Sequence, residues 1–338
     1  MSKSKAAVKI VFGAMTIGKA GLEGSRICTI EETNAVLDVF QQHGYNEVDN
    51  ARIYTAGICE QFFADANWKK RGLIMGTKLY PTASKNMSFV TPEIYSHSAA
   101  DVRRGLFNSL EALKSKTIDM WYLHGLNRTT PFEVTLAEVD KLHKGGYFKR
   151  FGVSNFQSWE VAQVCEICKK NGWIMPSVYQ GIYNALHRGI EPELLPCLRY
   201  YGIALYAFQP LAGGFLTGRY QRDSSDFAEG SRFDPKRTQG MLHHGRYWKP
   251  EYFDALENIQ VATGRHGLTM AEFALRWIMH HSLVQADKGD AVIIGASSAK
   301  QLEANLTDME KGPLPEEVVK AVNDGWEMVK GRVPNYWH

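Results

Sequence analysis

The sequence predicts an α/β fold, a (β/α)8 TIM barrel in one domain over residues 1–338, and three observations favour it. Short β-rich runs alternate with longer helical patterns along the chain. The runs are apolar enough to be covered on both faces, as in a parallel sheet. Neither GxGxxG nor GxxxxGK[ST] occurs, whereas an open doubly wound sheet usually carries such a phosphate loop early. Barrels often exceed about 250 residues as one unit, so the length does not require two domains.

Eight strands and eight helices are predicted in alternation. The strands cover residues 9–13, 45–49, 72–78, 118–124, 148–154, 177–180, 203–208 and 290–295. The helices that follow them cover residues 30–44, 57–70, 92–114, 131–146, 158–172, 190–202, 269–281 and 298–310. Several helices end at a glycine, the residue favoured at helix C-termini, namely Gly44, Gly145, Gly172 and Gly202.

The longest segment without a regular pattern runs from Pro210 to about Pro250 and is rich in glycine and arginine. A structureless loop of this length in a compact domain is usually functional or disordered. We predict that residues 210–250 form a loop over the barrel mouth that contacts cofactor and substrate, with the C-terminal tail beside it. Residues 1–7, which include Lys3 and Lys5, are predicted to be a disordered tail.

Composition excludes several classes of function. The net charge is +3 and no long basic run occurs, so nucleic acid is not an expected partner. No secretory h-region and no stretch of about 18 apolar residues is present, so a membrane is not expected either. A cytoplasmic location follows, and the sequons at Asn86, Asn127 and Asn305 are expected to be unglycosylated.

The five cysteines do not predict a disulfide framework, because their number is odd and they are sparse. Cys165 and Cys168 form a CxxC pattern inside the predicted helix 158–172. No second CxxC or histidine pair completes a zinc site. We therefore predict two cysteines on a helix face and no metal.

Polar residues stand at the predicted C-terminal ends of strands, where barrel enzymes carry their chemistry. Asp49, Lys78 and His124 each end a strand, and Tyr54 follows Asp49 by five residues. Ser154, Gln180 and Phe208 occupy the same position on later strands. A phenol, an amine, a carboxylate and an imidazole gathered at one barrel face predict a proton-donating site for carbonyl chemistry.

Reduction of a carbonyl needs a hydride donor and a proton for the developing alkoxide. A free tyrosine has a pKa of about 10, and a nearby ammonium such as Lys78 lowers it. Asp49 can hold Lys78 in place, and His124 can orient the substrate oxygen. A positioned acid of this kind contributes about 10²–10⁴ in rate.

Each of these residues, taken alone, also has a structural interpretation. Tyr54 is one of fifteen tyrosines and can lie on a rim, and Asp49 can cap a turn. Lys78 can be solvated at a strand end, and His124 can be a buried histidine with its hydrogen bonds satisfied. The functional interpretation rests on their convergence at one face.

Several motifs resemble the aldo-keto reductases over nearly the whole chain. The Asp-x4-Tyr motif stands at Asp49 and Tyr54, and the LH motif at residues 123–124. The longer matches are GVSNF at 152–156, FQPLAGGFLTGRY at 208–220 and IIGASSAKQLEAN at 293–305. The branch of aflatoxin-aldehyde and succinic-semialdehyde reductases is similar at 180–188, 210–220, 244–253 and 334–337. The resemblance implies a barrel with Tyr54, Asp49, Lys78 and His124 as catalytic residues, and with Tyr54 and His124 also touching the substrate.

The resemblance also implies NADPH as cofactor and a set of residues that hold it. Ser154, Asn155 and Gln180 would hold the nicotinamide carboxamide, and Phe208 would stack on the ring. The backbone from Gln209 to Arg219, through Leu211 and Gly213, would wrap the pyrophosphate. The residues expected at the adenosine end are Gly295, Ser297, Ser298, Gln301 and Asn305. Here small residues let backbone N–H groups and a helix N-terminus face a phosphate.

Three departures from the family pattern leave alternatives open. Gly295 and Gln301 stand where many relatives place a basic pair for the 2′-phosphate, so Arg219, Arg232 or Lys300 would supply that charge and NADH is not excluded. Phe208 replaces the common tyrosine. His338 ends the chain where the branch often has arginine, which leaves Arg246 as the candidate partner of a substrate carboxylate.

The resemblance therefore implies an NADPH-dependent reductase of aldehydes or ketones, with dicarbonyls and semialdehydes among the candidate substrates. The alternative is a binding protein on the same barrel, like potassium-channel β subunits, that holds the cofactor as a redox sensor. A small carbonyl compound is the expected partner. A homodimer is implied by the branch, although no sequence stripe demands it.

Overall fold

The computed structural model describes residues 6–83 and 90–338. Residues 1–5 of the predicted disordered tail, with Lys3 and Lys5, and the sequon at Asn86 lie outside the described residues.

Eight parallel strands close into a barrel in sequential order, which confirms the predicted fold class. Closure is direct, because Lys9 on the first strand pairs with Ala291 on the last. The strands are β1 (Lys9–Gly13), β2 (Glu47–Asp49), β3 (Ile74–Leu79), β4 (Ile118–Leu123), β5 (Phe148–Ser154), β6 (Val178–Ile182), β7 (Ala204–Phe208) and β8 (Ala291–Ile294).

The described ranges contain eleven α-helices, and eight of them match the predicted ones. These eight are α1 (Ile30–Gln42), α2 (Ile58–Asp65), α3 (Ala99–Ala112), α4 (Phe132–Lys144), α5 (Ser158–Asn171), α6 (Leu194–Tyr201), α9 (Met270–His280) and α10 (Ala299–Met309). The three additional helices are α7 (Thr238–Tyr247), α8 (Pro250–Arg265) and α11 (Glu316–Val329). In residues 6–83 and 90–338, no helix has the length and apolar character that a membrane span needs.

Local sequence explains where several helices begin and end. Thr29 and Glu32 form a capping box at the start of α1. Gly172 and Gly202 adopt left-handed φ values of 64° and 68° after α5 and α6, as predicted. Gly145 follows α4 with a right-handed φ of −73°. The left-handed residue there is the next one, Gly146.

The prediction of a structureless loop over residues 210–250 is wrong. A 3₁₀ turn spans Ala212–Thr217, and α7 occupies Thr238–Tyr247. The helix lacks the usual sequence signals, because its N-cap, Arg237, makes no side-chain capping bond and two glycines lie inside it. A residue far along the chain caps it instead: the N–H of Gln239 donates to Glu23 Oε1 at 3.1 Å.

This covering segment, residues 210–250, reaches the loop after β1 as well as the loop after β7. The Arg26 guanidinium donates to the carbonyl of Glu229 at 2.7 Å. The hydroxyl of Tyr247, at the end of α7, donates to Gln209 Oε1 at 3.1 Å. The segment therefore crosses the C-terminal mouth of the barrel.

The barrel interior is filled and its N-terminal end is closed by charge. An apolar cluster lies inside the sheet and consists of Val11, Met120, Tyr122, Val178, Ala204, Tyr206, Ala291 and Ile293. Below it, the buried carboxylate of Glu47 forms ion pairs with Lys9 and Arg150 and accepts a hydrogen bond from the Tyr206 hydroxyl at 3.0 Å. The ends of the strands that carry Asp49, Lys78 and His124 lie at the other end of the barrel.

The cysteines play a packing role. All five are free thiols, and Cys165 and Cys168 are fully buried on α5. Burial raises the pKa of each of these two thiols to about 12. Both therefore stay protonated near neutrality.

Candidate active site

A buried ion pair forms the base of the barrel mouth. Asp49 ends β2, and Lys78 lies one residue before the end of β3 with its side chain fully buried. Lys78 Nζ donates to Asp49 Oδ2 at 2.6 Å and to the carbonyl of Asn50 at 2.6 Å. Burial lowers the pKa of Lys78, while the charge of Asp49 and its hydrogen bond oppose that effect.

Tyr54 lies directly over this pair, at the start of a 3₁₀ turn. Lys78 Nζ is 4.8 Å from the centroid of the Tyr54 ring, within cation–π range. The expected lowering of its pKa is not found, because burial and the charge of Asp49 raise the pKa of Tyr54 well above 10. The cation that opposes the rise is Arg232, not Lys78. Tyr54 therefore keeps its proton near neutrality, as a proton donor must before it reacts.

His124 follows β4 and faces the same space. Its ring contacts Tyr54 edge-on, with the centroids 5.7 Å apart, and Tyr80 in the same manner at 5.5 Å. Burial lowers the pKa of His124 well below 6.5, with further lowering by Lys78 and His338, so the imidazole is neutral. Its buried Nδ1 has no hydrogen-bond partner among the described residues. A neutral imidazole with a free nitrogen can bind a carbonyl oxygen or its alcohol product.

Ser154, Asn155 and Gln180 converge on the mouth, but Gln180 and Asn155 already form hydrogen bonds with Asp49 and with the backbone of His124. Gln180 Nε2 donates to Asp49 Oδ1 at 2.8 Å. Asn155 Nδ2 donates to the carbonyl of His124 at 2.8 Å and to Ser154 Oγ at 3.1 Å. The side-chain amides of Gln180 and Asn155 therefore help to hold Asp49 and the backbone of His124 in place. This role is additional to the contact with the nicotinamide carboxamide that the resemblance implies.

The turn after β7 presents backbone N–H groups because its chain is left-handed at several points. Gln209, Ala212, Gly213 and Gly214 have φ values of 60°, 52°, 69° and 102°. Leu211, which is buried, accepts the N–H of Gly214 at 2.8 Å and closes the turn. Successive N–H groups in such a turn form a concavity that suits an anion.

Glycine is required at position 213 because α7 lies against it. A Cβ there would be 2.3 Å from the ring of His243. Phe208 lies half-buried at the end of β7 beside this turn. A half-buried aromatic ring in this position can stack on a flat ligand, the role that the family resemblance implies.

The loop after β8 has the features of an anion site at a helix N-terminus. Gly295 is exposed, and Ser298 caps α10 by accepting the N–H of Gln301. Gln301 Oε1 in turn accepts the N–H of Ser297 at 2.6 Å and its hydroxyl at 2.8 Å. The buried Nδ2 of Asn305 has no partner among the described residues. This orphaned donor, with the turn after β7, fits a bound dinucleotide.

The predicted arginines separate in space. Arg232, expected near a 2′-phosphate, lies close enough to Tyr54 for their charges to interact, and its Nη1 contacts Gln239 Oε1 at 3.2 Å. Arg219 is exposed over the ring of Tyr220. Arg246 is half-buried in α7, where its charge lowers the pKa of His187.

The C-terminal tail forms one wall of the mouth. The Tyr336 hydroxyl accepts the N–H of Ser158 at 3.1 Å, and Trp337 lies 5.5 Å from the Arg128 guanidinium. The ring of His338 tilts against Tyr80 at 5.9 Å, and its N–H donates to the carbonyl of Asn155 at 3.4 Å. Tyr80 was missed from sequence, although its position just after β3 matches that of the residues that were selected.

Comparison with known proteins places the whole chain in one group. The profile described as the Aldo/keto reductase family matches residues 9–327. The chain is 47% identical to the aldo-keto reductase pigE of Monascus ruber, over 97% of both chains. It is 37% identical to the human aldo-keto reductase family 7 member A3, over 99% of this chain and 98% of that one. Human aflatoxin B1 aldehyde reductase member 2 is 39% identical, over 90% of this chain and 84% of that one.

Proposed function

Because the chain belongs to the aldo/keto reductase family and is an oxidoreductase, we propose that it reduces aldehydes or ketones to alcohols with NADPH, with Tyr54 as proton donor. The single observation that carries this proposal is the stacking of Tyr54 over the Lys78–Asp49 pair beside His124. Acid, cation and neutral imidazole lie around one space at the mouth of the barrel. The similarity to aldehyde reductases supports the choice of substrate class.

The cofactor is assigned to residues that the structure leaves available to it. Phe208, the hydroxyl of Ser154 and the side-chain oxygen of Asn155 would hold the nicotinamide end, and the turn from Gln209 would hold the pyrophosphate. The loop after β8, with Asn305, would hold the adenosine end. When bound, NADPH would supply the hydride that adds to the carbonyl carbon.

The protein's own residues would manage the proton. The carbonyl oxygen would accept hydrogen bonds from Tyr54 Oη and from the neutral His124 ring. As negative charge develops on that oxygen, the Tyr54 proton moves to it, and the phenolate left behind is stabilised by the charge of Arg232. Asp49 and the carbonyl of Asn50 keep the Lys78 ammonium charged and fixed during this transfer.

The proposal is tested by following NADPH oxidation with a panel of small aldehydes, dicarbonyls and semialdehydes. We expect Tyr54→Phe to lower kcat by about 10²–10⁴, with the Kd for NADPH unchanged, because the phenol acts in proton transfer rather than in binding. Equal rates in the two proteins would show that another group is the acid. Repeating the assay with NADH tests the cofactor preference, and equal efficiency with both would refute it.

The same assay separates an enzyme from a redox sensor. If wild type binds NADPH, as measured by quenching of tryptophan fluorescence, but oxidises it with no member of the panel, the sensor function is favoured. We expect turnover with at least one aldehyde.

A further inference from the structure

The turn that carries Tyr54 has an unusual backbone. The three residues after Tyr54 are all left-handed: Thr55 has φ 47° and ψ 45°, Ala56 has φ 56° and ψ 35°, and Gly57 has φ 86°. Non-glycine residues rarely adopt this conformation, and a β-branched residue such as Thr55 does so least readily. Strained residues of this kind persist only where their surroundings hold them. Some contact must therefore fix this turn.

Arg52 provides that contact from two residues before Tyr54. Its Nε and Nη2 donate to the two carboxylate oxygens of Glu93 at 2.8 and 3.1 Å. Its Nη1 donates to Glu60 Oε2 at 2.8 Å and to the carbonyl of Gly57 at 3.4 Å. The side chain is only 11% exposed, and that of Glu60 is fully buried. One guanidinium thus joins the start of the turn, its end, helix α2 and the loop before α3.

The fit between Arg52 and the turn is close. A Cβ at Gly57 would lie 2.8 Å from Arg52 Nη2 and 3.0 Å from Cζ. The guanidinium therefore lies directly under the last left-handed residue. A change in its position would move the turn that it supports.

The same network joins the turn to the strand that carries Lys78. The N–H of Arg52 donates to the carbonyl of Lys78 at 3.0 Å. Glu60, which pairs with Arg52, accepts the Thr77 hydroxyl at 2.6 Å through its other oxygen. The contacts of Arg52 therefore set the position of Tyr54 relative to Lys78.

We propose that Arg52 is a positioning residue for the proton donor: through Glu60 and Glu93 it holds the strained Tyr54 turn against β3. The role rests on the proposed function, in which Tyr54 gives the proton. Arg52 acts through Tyr54 and contacts neither substrate nor cofactor. Lysine would replace it only in part, because one ammonium cannot reproduce the fork that binds two carboxylates and a carbonyl.

The experiment compares Arg52→Gln, Arg52→Lys and Glu93→Gln with a matched control. The control is Arg199→Gln, which breaks another two-pronged arginine–carboxylate pair, to Asp290 at 2.9 and 2.6 Å, in α6. The measurements are kcat per NADPH-binding site, the Kd for NADPH, the solvent deuterium isotope effect on kcat, and amide hydrogen exchange over residues 50–57.

We expect Arg52→Gln to lower kcat by about 10–100-fold, because a misplacement of about 1 Å can cost about 10² in rate. The Kd for NADPH should stay within about twofold, and the isotope effect should rise as proton transfer becomes slower. Exchange in residues 50–57 should become faster. Arg52→Lys and Glu93→Gln should give smaller changes of the same kind, and Arg199→Gln should change none of these readouts.

Two outcomes overturn the proposal. The positioning role is refuted if Arg52→Gln keeps the wild-type kcat per binding site. It is also refuted if Arg199→Gln reproduces the effects of Arg52→Gln. If Arg52→Gln does not fold, Arg52→Lys decides by the same measurements. If Tyr54→Phe keeps full activity, the proposed function itself fails. If Tyr54→Phe is inactive and Arg52→Gln is not, only the role of Arg52 fails.

Discussion

Replacing Asp49 with asparagine removes the charge beside Lys78 and so measures what the buried ion pair contributes. The substitution keeps the size of the side chain and one oxygen that can accept a hydrogen bond. The carbonyl of Asn50 still accepts from Lys78 Nζ. What is lost is the negative charge 2.6 Å from the ammonium, together with one of the two hydrogen bonds that Asp49 accepts, from Lys78 Nζ and from Gln180 Nε2.

The expected loss of stability is large because neither side chain is screened by solvent. Lys78 is 0% exposed and Asp49 is 6% exposed. Removing one partner of a buried pair costs about 3–5 kcal/mol. Since asparagine still accepts a hydrogen bond, we expect about 3 kcal/mol, the low end of that range. At roughly 2 °C per kcal/mol for a chain of this size, Tm should fall by about 6 °C.

The loss should also depend on pH, with a sign fixed by the direction of the pKa shift. Burial lowers the pKa of Lys78 in the folded protein below its ordinary 10.5. Between those two pKa values the unfolded chain binds a proton that the folded chain does not, so stability rises with pH. Asp49→Asn removes the charge that opposes this lowering, so the pKa of Lys78 falls further in the folded variant. The range of pH over which stability rises therefore begins at a lower pH in the variant. The stability lost by the variant is therefore greatest near neutrality and shrinks as pH rises towards 10.5.

Guanidinium unfolding, followed by tryptophan fluorescence at about pH 7 and about pH 9.5, measures this difference. Asp290→Asn is the matched control, because Asp290 is also buried and pairs with Arg199 at 2.6 Å. Arginine does not lose its proton in this range, so the loss in the control should not change with pH. A loss for Asp49→Asn that is equal at both pH values would refute the reasoning.

Two further predictions concern the shell around the site. Burial lowers the pKa of His97 to about 3. Below about pH 6.5 the unfolded chain therefore binds a proton that the folded chain does not bind. The free energy of unfolding consequently falls as pH falls through that range. In urea unfolding, His97→Gln should reduce the slope of the free energy of unfolding against pH by about 1.4 kcal/mol per pH unit. An unchanged slope would contradict the lowered pKa of His97. In α7, a Cβ at Gly240 would lie 1.7 Å from the carbonyl oxygen of Asp234. Gly240→Ala should therefore displace the covering segment and weaken NADPH binding about tenfold. Gly245→Ala should not weaken NADPH binding, because a Cβ at that position meets nothing within 4 Å. Equal affinities of the two variants for NADPH would count against a role of the covering segment in binding.

The barrel could be predicted from sequence because buried parallel strands leave a local signal, whereas three helices were missed for separate reasons. Helix α7 depends on Glu23, a residue more than 200 positions away, for its N-terminal cap. Helix α8 did carry a signal, because Pro250 stands at its first position, where proline is favoured. In the sequence, however, the same proline also ends the segment without a regular pattern, residues 210–250. Helix α11 packs on α8. Without α8 in the predicted fold, the apolar face of α11 had no partner to pack against.

The site could be predicted only as far as topology determines it. Strand ends meet at one face of a barrel, so the convergence of Asp49, Lys78 and His124 follows from their positions. The partner of each side chain does not follow. Gln180 contacts Asp49 across the mouth, and Arg232 reaches Tyr54 from the covering segment. Such pairings depend on rotamers and on a helix that the sequence did not reveal.

Backbone strain in this chain is concentrated where the proposed chemistry lies. Five of the seven non-glycine residues with positive φ in the described ranges occur in loops at the mouth: Thr55, Ala56, Asn155, Gln209 and Ala212. Each such residue costs about 1–3 kcal/mol and persists only where its surroundings hold it.

The contacts that hold these strained residues are the same ones that orient the functional groups. Thr55 Oγ1 donates to the carbonyl of Ile17 at 3.0 Å, Asn155 Nδ2 donates to the carbonyl of His124 at 2.8 Å, and Gln209 accepts from Tyr247 at 3.1 Å. Breaking one of them lets a loop relax to an easier conformation, which recovers part of the lost stability while moving the group that the loop carries. Substitutions at these contacts should therefore lower kcat by more than their effect on the free energy of unfolding suggests. Substitutions of Glu47 or of its ion-pair partners Lys9 and Arg150 should instead lower the free energy of unfolding with little effect on kcat.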